Sequence, residues 1–309
     1  MTNTMIEVSH VTKKFKHHTA LNDLSFTVKK GEIFAMLGSN GVGKTTTINM
    51  LTTLMKPSKG TIKINEIDIQ QYPNQIKPLI SLTGQYASLD EELTGRQNLT
   101  LLANLNHLPK NQIKFRIDEV LEEFNLTEFA DRIVKQYSGG MRRRLDIAGS
   151  LLKIPKILFL DEPTTGVDPE NRINLWNLIL EFVKKYNITV FLTTQYLEEA
   201  EYLADFAIIM NDGSLIKSGT IKQLKENLAS NNITLTFDAY NFNLVKNTSL
   251  NVKFNQLRHE IMLPSNDIMQ DMETLLNTLS SQNIEIENVQ IKQPTLEDAY
   301  FEAINHIKD

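Results

Sequence analysis

Residues 38–45 read Gly-Ser-Asn-Gly-Val-Gly-Lys-Thr, which is the pattern G-x-x-x-x-G-K-[ST] of a phosphate-binding loop. An apolar run of strand length, Ile33–Leu37, comes directly before it. Residues 45–54 follow without glycine or proline, as expected for a helix. Strand, glycine loop and helix is the arrangement that such a loop requires. We therefore favour a phosphate-binding loop over an ordinary strand-turn-helix and predict a site for a nucleoside triphosphate.

The residue types of the loop explain how it would hold phosphate. Glycines let the backbone curl so that amide groups point at phosphate oxygens, and the start of the following helix adds partial positive charge. Lys44 brings a full charge to the outer phosphates, and the Thr45 hydroxyl is placed to ligate magnesium. The predicted nucleotide contacts are Gly38, Ser39, Asn40, Gly41, Val42, Gly43, Lys44, Thr45 and Thr46.

The overall composition is that of a globular protein. The chain has 309 residues, a formal net charge of −5, 41% hydrophobic residues and no cysteine. Its length suggests about two domains, its acidic balance argues against nucleic acid as a partner, and the lack of thiols excludes disulfides and thiolate metal sites. The first residues lack a secretory signal, and no apolar stretch approaches the roughly 18 residues of a spanning helix. We expect another polypeptide to supply any membrane-spanning part.

Strands and helices alternate along residues 1–228, which favours an α/β sheet. A change to helical spacing marks an inserted segment at about residues 92–153. Asp212-Gly213 has the composition of a hairpin turn. Strands are predicted at residues 6–11, 24–28, 33–37, 61–69, 157–160, 188–193 and 206–210, and helices at 173–184 and 197–204.

A polar joint at residues 229–232 separates a second domain, predicted at 229–309. Its pattern indicates a small α+β unit, with strands at 233–237, 258–263 and 284–291 and helices at 268–279 and 295–307. No motif with recognisable chemistry occurs in this part of the chain. We interpret it as a packing or dimer-supporting appendage, and the alternative is a regulatory sensor.

Two carboxylates follow the apolar strand at residues 157–160. Because buried strands deliver side chains to the carboxyl end of a sheet, where ligands sit, we expect Asp161 to act as a partner of magnesium. We expect Glu162 to be the base that polarises an attacking water. The alternative is an acidic pair that faces solvent.

Tyr137-Ser138-Gly139-Gly140-Met141 is followed by Arg142, Arg143 and Arg144. This segment, together with the phosphate loop, resembles the signature of the ATP-binding cassette family. Ser138 has the side chain of a helix cap, and two glycines expose backbone amides to an anion. The resemblance implies a RecA-like P-loop NTPase core with a helical subdomain, and amides of Ser138, Gly139 and Gly140 that bind the γ-phosphate held by a second copy.

The resemblance extends to three further segments. It implies that Gln85 contacts magnesium and senses nucleotide. The alternative is that Gln85 belongs to an ordinary polar surface loop. It places Phe15 where an aromatic ring stacks on adenine, where the alternative is a strand-end core residue. Residues 165–169 look like the loop where two partners touch. For the basic run at 142–144 we favour a solvated helix face over a nucleic-acid contact, because the chain is acidic.

Gln195 departs from the commonest family pattern, which has a histidine that reaches the γ-phosphate. A glutamine amide can make the contact but cannot carry a proton charge, so we expect Gln195 to act beside Glu162 in catalysis. The stretch Thr193–Ala200, with Leu82–Asp90 and Pro294–Phe301, resembles the daunorubicin-resistance-type branch of drug exporters.

Together these resemblances imply an ATPase that uses ATP and Mg²⁺, pairs with a second copy through the ATP sites, and drives a separate membrane permease from the cytoplasmic face of the cell membrane. Efflux of a drug or another hydrophobic compound is the expected role, and the alternatives are an importer ATPase subunit or a soluble cassette ATPase that acts on the ribosome or on DNA. A ribosome-acting cassette protein would usually carry two cassettes in one chain. A chromosome-maintenance ATPase would need coiled coils longer than residues 92–153.

Overall fold

The computed structural model describes residues 3–85, 87–226, 231–246, 248 and 250–305. The chain divides into two compact units, Met1–Ile221 and Lys222–Asp309. The predicted boundary at 228–229 lies outside the described residues.

The strands are β1 (Thr4–Phe15), β2 (His18–Lys29), β3 (Ile33–Leu37), β4 (Lys59–Ile64), β5 (Ile67–Asp68), β6 (Ile80–Thr83), β7 (Ile157–Asp161), β8 (Thr189–Thr194), β9 (Phe206–Asn211), β10 (Ser214–Thr220), β11 (Asn231–Thr236), β12 (Lys253–Asn255), β13 (Glu260–Ser265) and β14 (Asn288–Lys292). The α-helices are α1 (Lys44–Leu51), α2 (Pro73–Ile76), α3 (Gly95–Leu105), α4 (Lys110–Glu123), α5 (Gly139–Ser150), α6 (Pro169–Tyr186), α7 (Leu197–Leu203), α8 (Ile221–Glu226), α9 (Ala239–Val245), α10 (Ile268–Ser281) and α11 (Leu296–Asn305).

The central sheet of the first unit has the strand order β10-β9-β3-β8-β7-β6. Strands β9, β3, β8, β7 and β6 run parallel, and β10 pairs antiparallel with β9. Because the carboxyl ends of parallel strands meet at one edge, the segments that follow β3, β6, β7 and β8 converge there. This confirms the predicted α/β fold of the P-loop type.

Aromatic side chains fill the space between this sheet and a second sheet of order β2-β1-β4-β5. The rings of Phe34 and Phe191 stack with centroids 5.4 Å apart, and the ring of Phe26 lies 5.2 Å from that of Phe34. Every residue of β3, β7 and β8 is buried, which explains their nearly continuous apolar sequences.

The strand predicted at residues 61–69 is wrong as a single element. Strand β4 ends at Ile64, and the chain turns back and begins β5 at Ile67. Strands β4 and β5 pair antiparallel. Asn65 and Glu66 occupy the turn with φ angles of 49° and 69°. The isoleucines alternate on either side of the turn, but the spacing from Ile64 to Ile67 breaks the period of two that one strand requires.

Helices α3, α4 and α5 occupy the segment predicted to be helical. Thr94 caps α3 by accepting a hydrogen bond from the Gln97 amide, and the Gln97 side chain accepts one from the Thr94 amide, which makes a capping box. Ser138 caps α5 by accepting a hydrogen bond from the Met141 amide at 3.2 Å. The signature segment therefore forms the first turn of a helix.

The second unit has an antiparallel sheet of order β12-β13-β11-β14. Its core contains Ile233, Leu235 and Phe237 with Leu275 and Leu279 of α10, as a small α+β unit requires. Residues 229 and 230 of the predicted joint lie outside the described residues, whereas Asn231 and Asn232 begin β11. Of the strand predicted at 284–291, residues 284–287 lie outside β14. Residues 306 and 307 of the last predicted helix lie outside the described residues.

Candidate functional site

The phosphate loop connects β3 to α1, as its sequence predicts. Gly43 caps α1 with a φ angle of 103°, a conformation that favours glycine. A Cβ atom on Gly43 would lie 2.5 Å from Leu21 Cδ2 and 2.7 Å from the Ala20 carbonyl oxygen. The site therefore requires glycine for both backbone conformation and space.

Lys44 extends its side chain back over this loop. Its Nζ donates hydrogen bonds to the carbonyl oxygens of Gly38, at 2.8 Å, and Ser39, at 3.0 Å. It also forms an ion pair with Glu162 Oε1 at 3.3 Å, and both side chains are less than 10% exposed. The predicted phosphate-binding cation and the predicted catalytic carboxylate are therefore direct neighbours.

Asp161 and Glu162 are held by the neighbouring strand β8. The Thr193 hydroxyl donates to Asp161 Oδ1 at 2.5 Å, and the Glu162 amide donates to the Thr193 carbonyl oxygen at 3.0 Å. Glu162 has a φ angle of 48°, which is uncommon for a residue other than glycine. Both side chains are buried, which excludes the alternative of an acidic pair that faces solvent.

Three other predicted residues lie at this edge of the sheet. Gln85 follows β6, Gln195 follows β8 and Thr45 lies in the first turn of α1, and all three are exposed. The sheet order thus brings together the phosphate loop, Gln85, Asp161, Glu162 and Gln195 from four adjacent parallel strands. These residue types carry oxygen and amide groups, and the parallel strand order places them at one edge of the sheet.

Ser138, Gly139 and Gly140 belong to the start of α5. Within the described part of the chain, no hydrogen bond or ion pair joins these residues to the phosphate loop. Gly139 is exposed, and a Cβ atom on Gly140 would lie 3.1 Å from Asn171 Cβ. Asn171 belongs to the first turn of α6, where it donates to the capping carboxylate of Asp168. Hydrogen bonding to Asn171 lowers the pKa of Asp168.

Phe15 ends β1 with 44% of its surface exposed. Lys13 Nζ lies 5.2 Å from the ring centroid. The ring therefore does not belong to the core, which removes the alternative interpretation. Stacking on adenine remains a prediction.

The interpretation of residues 142–144 as a solvated helix face is wrong. Arg143 is buried, and its guanidinium donates to the carbonyl oxygens of Pro163 and Gly84, each at 2.6 Å. Arg144 is partly buried and donates to the Phe124 carbonyl oxygen at 3.3 Å. A sequence signal was available in Asp146, three residues after Arg143 on an otherwise apolar stretch of helix, because such spacing places an acid beside a base.

Arg143 and Asp146 form a buried ion pair at 3.2 Å. Burial lowers the pKa of Arg143 and raises the pKa of Asp146, as expected when both charged forms are removed from water. Each group is compensated by hydrogen bonds to the backbone, including one from the Ser88 amide to Asp146 Oδ1 at 3.0 Å.

A second buried group missed from the sequence is Glu199, in α7. Its Oε1 accepts hydrogen bonds from the Thr164 hydroxyl at 2.8 Å and from Trp176 Nε1 at 3.0 Å. Burial raises the pKa of Glu199. The Glu199 cluster, which comprises Glu199, Thr164 and Trp176, thus links the segment after Glu162 to the helix after Gln195.

Comparison with known proteins agrees with this geometry. The ABC transporter family pattern matches residues 21–165, and the pattern of the C-terminal domain of DrrA1-3-like ATP-binding proteins matches residues 219–304. The chain is 39% identical to the daunorubicin resistance ATP-binding protein DrrA3 of Streptomyces coeruleorubidus, covering 97% of this chain and 96% of the relative. It is 37% identical to the daunorubicin/doxorubicin resistance ATP-binding protein DrrA of Streptomyces peucetius, covering 98% and 93%.

Solved structures of cassettes share the fold of the first unit. One is a dimeric ATP-binding cassette in a post-hydrolysis state bound to ADP and Pi. It superposes with a TM-score of 0.63 and 25% identity, covering 70% of this chain and 98% of that one. Within the described residues, no helix has the length and apolar character that a membrane crossing requires. The chain belongs to the ATP-binding cassette family as an ATPase, and within that family to the DrrA-like ATP-binding proteins of drug resistance.

Proposed function

We propose that this chain is the energy-converting subunit of a drug exporter, that it pairs with a second copy around two ATP molecules, and that it drives a separate membrane permease. The buried Lys44–Glu162 ion pair at the carboxyl edge of the sheet is the observation that carries this proposal. In this pair, the Lys44 ammonium group, which would bind the outer phosphates, lies beside the Glu162 carboxylate, which would orient water. Electrostatic stabilisation and positioning dominate phosphoryl transfer.

The residues at this edge also suit a magnesium ion. Magnesium prefers oxygen ligands and is usually held by one or two carboxylates together with substrate phosphates. Asp161, the Thr45 hydroxyl and the Gln85 amide oxygen would supply such ligands. The bound ion would neutralise charge on the phosphates, while Lys44 and the amides of residues 41–46 bind them and Glu162 orients water.

The position of the signature segment supports pairing of two copies. In the described residues, no hydrogen bond joins the start of α5 to the phosphate loop of its own chain. The amides at a helix start attract anions. A second copy arranged head to tail would bring Ser138, Gly139 and Gly140 over the γ-phosphate. Residues 165–169 lie next to the start of α5, since a Cβ atom on Gly139 would be 3.9 Å from the Gly166 carbonyl oxygen, and they would then line the contact between copies.

A groove in the first unit would bind the permease at the cytoplasmic face of the membrane. It has a volume of about 310 Å³ and is lined in part by Leu54, Leu82, Leu102 and Ser88. Leu82 and Ser88 flank Gln85 on either side in sequence. A permease segment in this groove would contact the residues next to the predicted nucleotide sensor, which suits coupling between transport and hydrolysis.

Mixing two inactive variants tests the shared site. Lys44→Ala should inactivate the phosphate loop, and Ser138→Arg should block the signature segment. A mixed dimer contains one intact site, so an equimolar mixture should recover up to about a quarter of wild-type ATPase activity if copies pair at random. Activity that stays at the level of the separate variants would contradict a site shared between copies.

A control mixture guards against recovery by other routes. Lys44→Ala mixed with Glu162→Gln should recover nothing, because both residues belong to the phosphate-loop half of a site. Each of the two sites in the mixed dimer would then contain one of the two changes. Phosphate release and light scattering measured on the same samples would report hydrolysis and pairing independently.

A further inference from the structure

One side chain connects three parts of the proposed site. The Arg143 guanidinium donates to the carbonyl oxygen of Gly84, which directly precedes Gln85, at 2.6 Å. It also donates to the carbonyl oxygens of Pro163 at 2.6 Å, Asp161 at 3.3 Å and Glu162 at 3.5 Å. Arg143 itself lies in α5, whose first turn is the signature segment.

Asp146 completes the connection on the far side of Gln85. One of its carboxylate oxygens accepts from Arg143, and the other accepts from the Ser88 amide at 3.0 Å. The Arg143–Asp146 pair therefore holds the chain at residue 84 and again at residue 88. Both anchors belong to one helix turn, so a displacement of α5 moves both ends of the Gln85 segment.

Stability alone is a weak explanation for this pair. A buried ion pair is often no more stabilising than well-packed apolar residues of similar volume. The planar guanidinium, in contrast, directs its donors in a fixed fork that fits several carbonyl oxygens at once. Such a fork fixes the relative positions of the backbone segments that it touches.

We propose that Arg143 is a positioning residue, which couples the signature helix and the Gln85 segment to the backbone that orients Glu162. This inference rests on the proposed function, because it assigns to Arg143 an effect on the roles proposed for Gln85 and Glu162. When the signature segment meets nucleotide on another copy, the shift of α5 passes through this one side chain to the carboxylate.

The decisive variant replaces both charges in the full-length chain, as Arg143→Met with Asp146→Leu, so that no unpaired charge remains buried. We expect a folded protein whose affinity for ADP, measured by calorimetry, stays within about twofold, while kcat falls between about 10- and 100-fold, since small misplacements of catalytic groups cost that much. KM for ATP should change far less than kcat.

Arg143→Lys separates charge from geometry. Lysine keeps the positive charge facing Asp146 but cannot bond all of the carbonyl oxygens, because an ammonium group is a compact donor without the planar fork. We therefore expect kcat to stay well below the wild-type value. Full activity in Arg143→Lys would overturn the proposed role of the fork.

Arg116 provides a matched control. It is also a buried arginine that donates to backbone carbonyl oxygens, those of Leu151 and Leu152. Among the described residues, its hydrogen bonds and ion pairs do not involve the segments of Gln85 or Glu162. Arg116→Met should lower thermal stability and leave kcat unchanged. An equal loss of kcat in Arg116→Met would show that any buried arginine of this kind matters, and the coupling proposal would fail.

The two levels of proposal fail separately. If Glu162→Gln abolishes hydrolysis and the folded double variant at 143 and 146 retains wild-type kcat, the coupling role is wrong and the proposed site stands. If Glu162→Gln leaves hydrolysis intact, the proposed site itself is wrong, and with it the inference about Arg143.

Discussion

Glu162 lies one residue beyond a buried strand, with a left-handed backbone and an ion pair to Lys44. Glutamine would keep its size but could not accept a proton from water. A positioned base contributes about 10²–10⁴ in rate, so Glu162→Gln should reduce phosphate release by a comparable factor and leave a long-lived ATP-bound dimer. Unchanged release would remove Glu162 from the catalytic role.

Gln195 is exposed at the end of β8, where its amide can donate to a γ-phosphate. A hydrogen bond to a charged group contributes about 1.5–3 kcal/mol. Gln195→Ala should therefore slow hydrolysis about 10- to 100-fold and change the affinity for ADP, which lacks that phosphate, much less. Single-turnover hydrolysis and calorimetry measure the two effects, and equal losses would argue against the contact.

Glu199 makes the stability of the protein depend on pH in a particular direction. Burial raises its pKa above the ordinary value of 4.5, so the folded state binds the proton more tightly than the unfolded state. The stability that this proton confers is complete below pH 4.5 and is lost as pH rises through the raised pKa.

Glu199→Gln removes this dependence while it keeps an oxygen for Thr164 and Trp176. Denaturant unfolding should show the variant gaining stability relative to the wild type as pH increases from 4.5, with a plateau above the raised pKa. A difference that is constant with pH would show that Glu199 has the same pKa in both states.

At the scale of secondary structure, the stacked phenylalanines join the two sheets of the first unit. Phe191 is fully buried and lies within 6 Å of the rings of Phe26, Phe34 and Phe159. Phe191→Ala should lower the free energy of unfolding by about 3–5 kcal/mol. Phe115, which is 72% exposed, gives the control, since Phe115→Ala should change it by less than about 0.5 kcal/mol.

The elements predicted well from sequence share a physical property. Strands β3, β7 and β8 are covered on both faces, so continuous apolar runs identify them. Strand β6 forms the sheet edge with mostly half-buried residues, and its four residues carry too little pattern to be predicted. The glycine loop and the acidic strand end were found because their chemistry resides in local sequence.

Long-range packing explains what the sequence did not show. Whether three consecutive arginines face water or protein depends on which loops fold over α5, and Gly84 and Pro163 are distant in sequence from Arg143. Glu199 likewise contacts Thr164 and Trp176 across helices. A regular helical pattern indicates which residues share a face but not what covers that face.

At the scale of the whole molecule, the predicted site residues all belong to the first unit, Met1–Ile221. Removal of residues 230–309 should therefore leave nucleotide affinity within about twofold of that of the full chain. If the second unit supports pairing, ATP-dependent dimerisation and ATPase activity should both fall. Light scattering and phosphate release would test this, and no loss of either would contradict the dimer-supporting and sensor interpretations alike.

Trp176 is the only tryptophan of the chain, and its indole donates a hydrogen bond to the carboxylate of Glu199 in α7, the helix that follows Gln195. Intrinsic tryptophan fluorescence of this protein therefore has a single origin, a buried ring of α6 that is hydrogen-bonded to α7. Because the eight tyrosines absorb at shorter wavelengths, selective excitation of tryptophan would give an unlabelled sample an optical probe of the contact between α6 and α7.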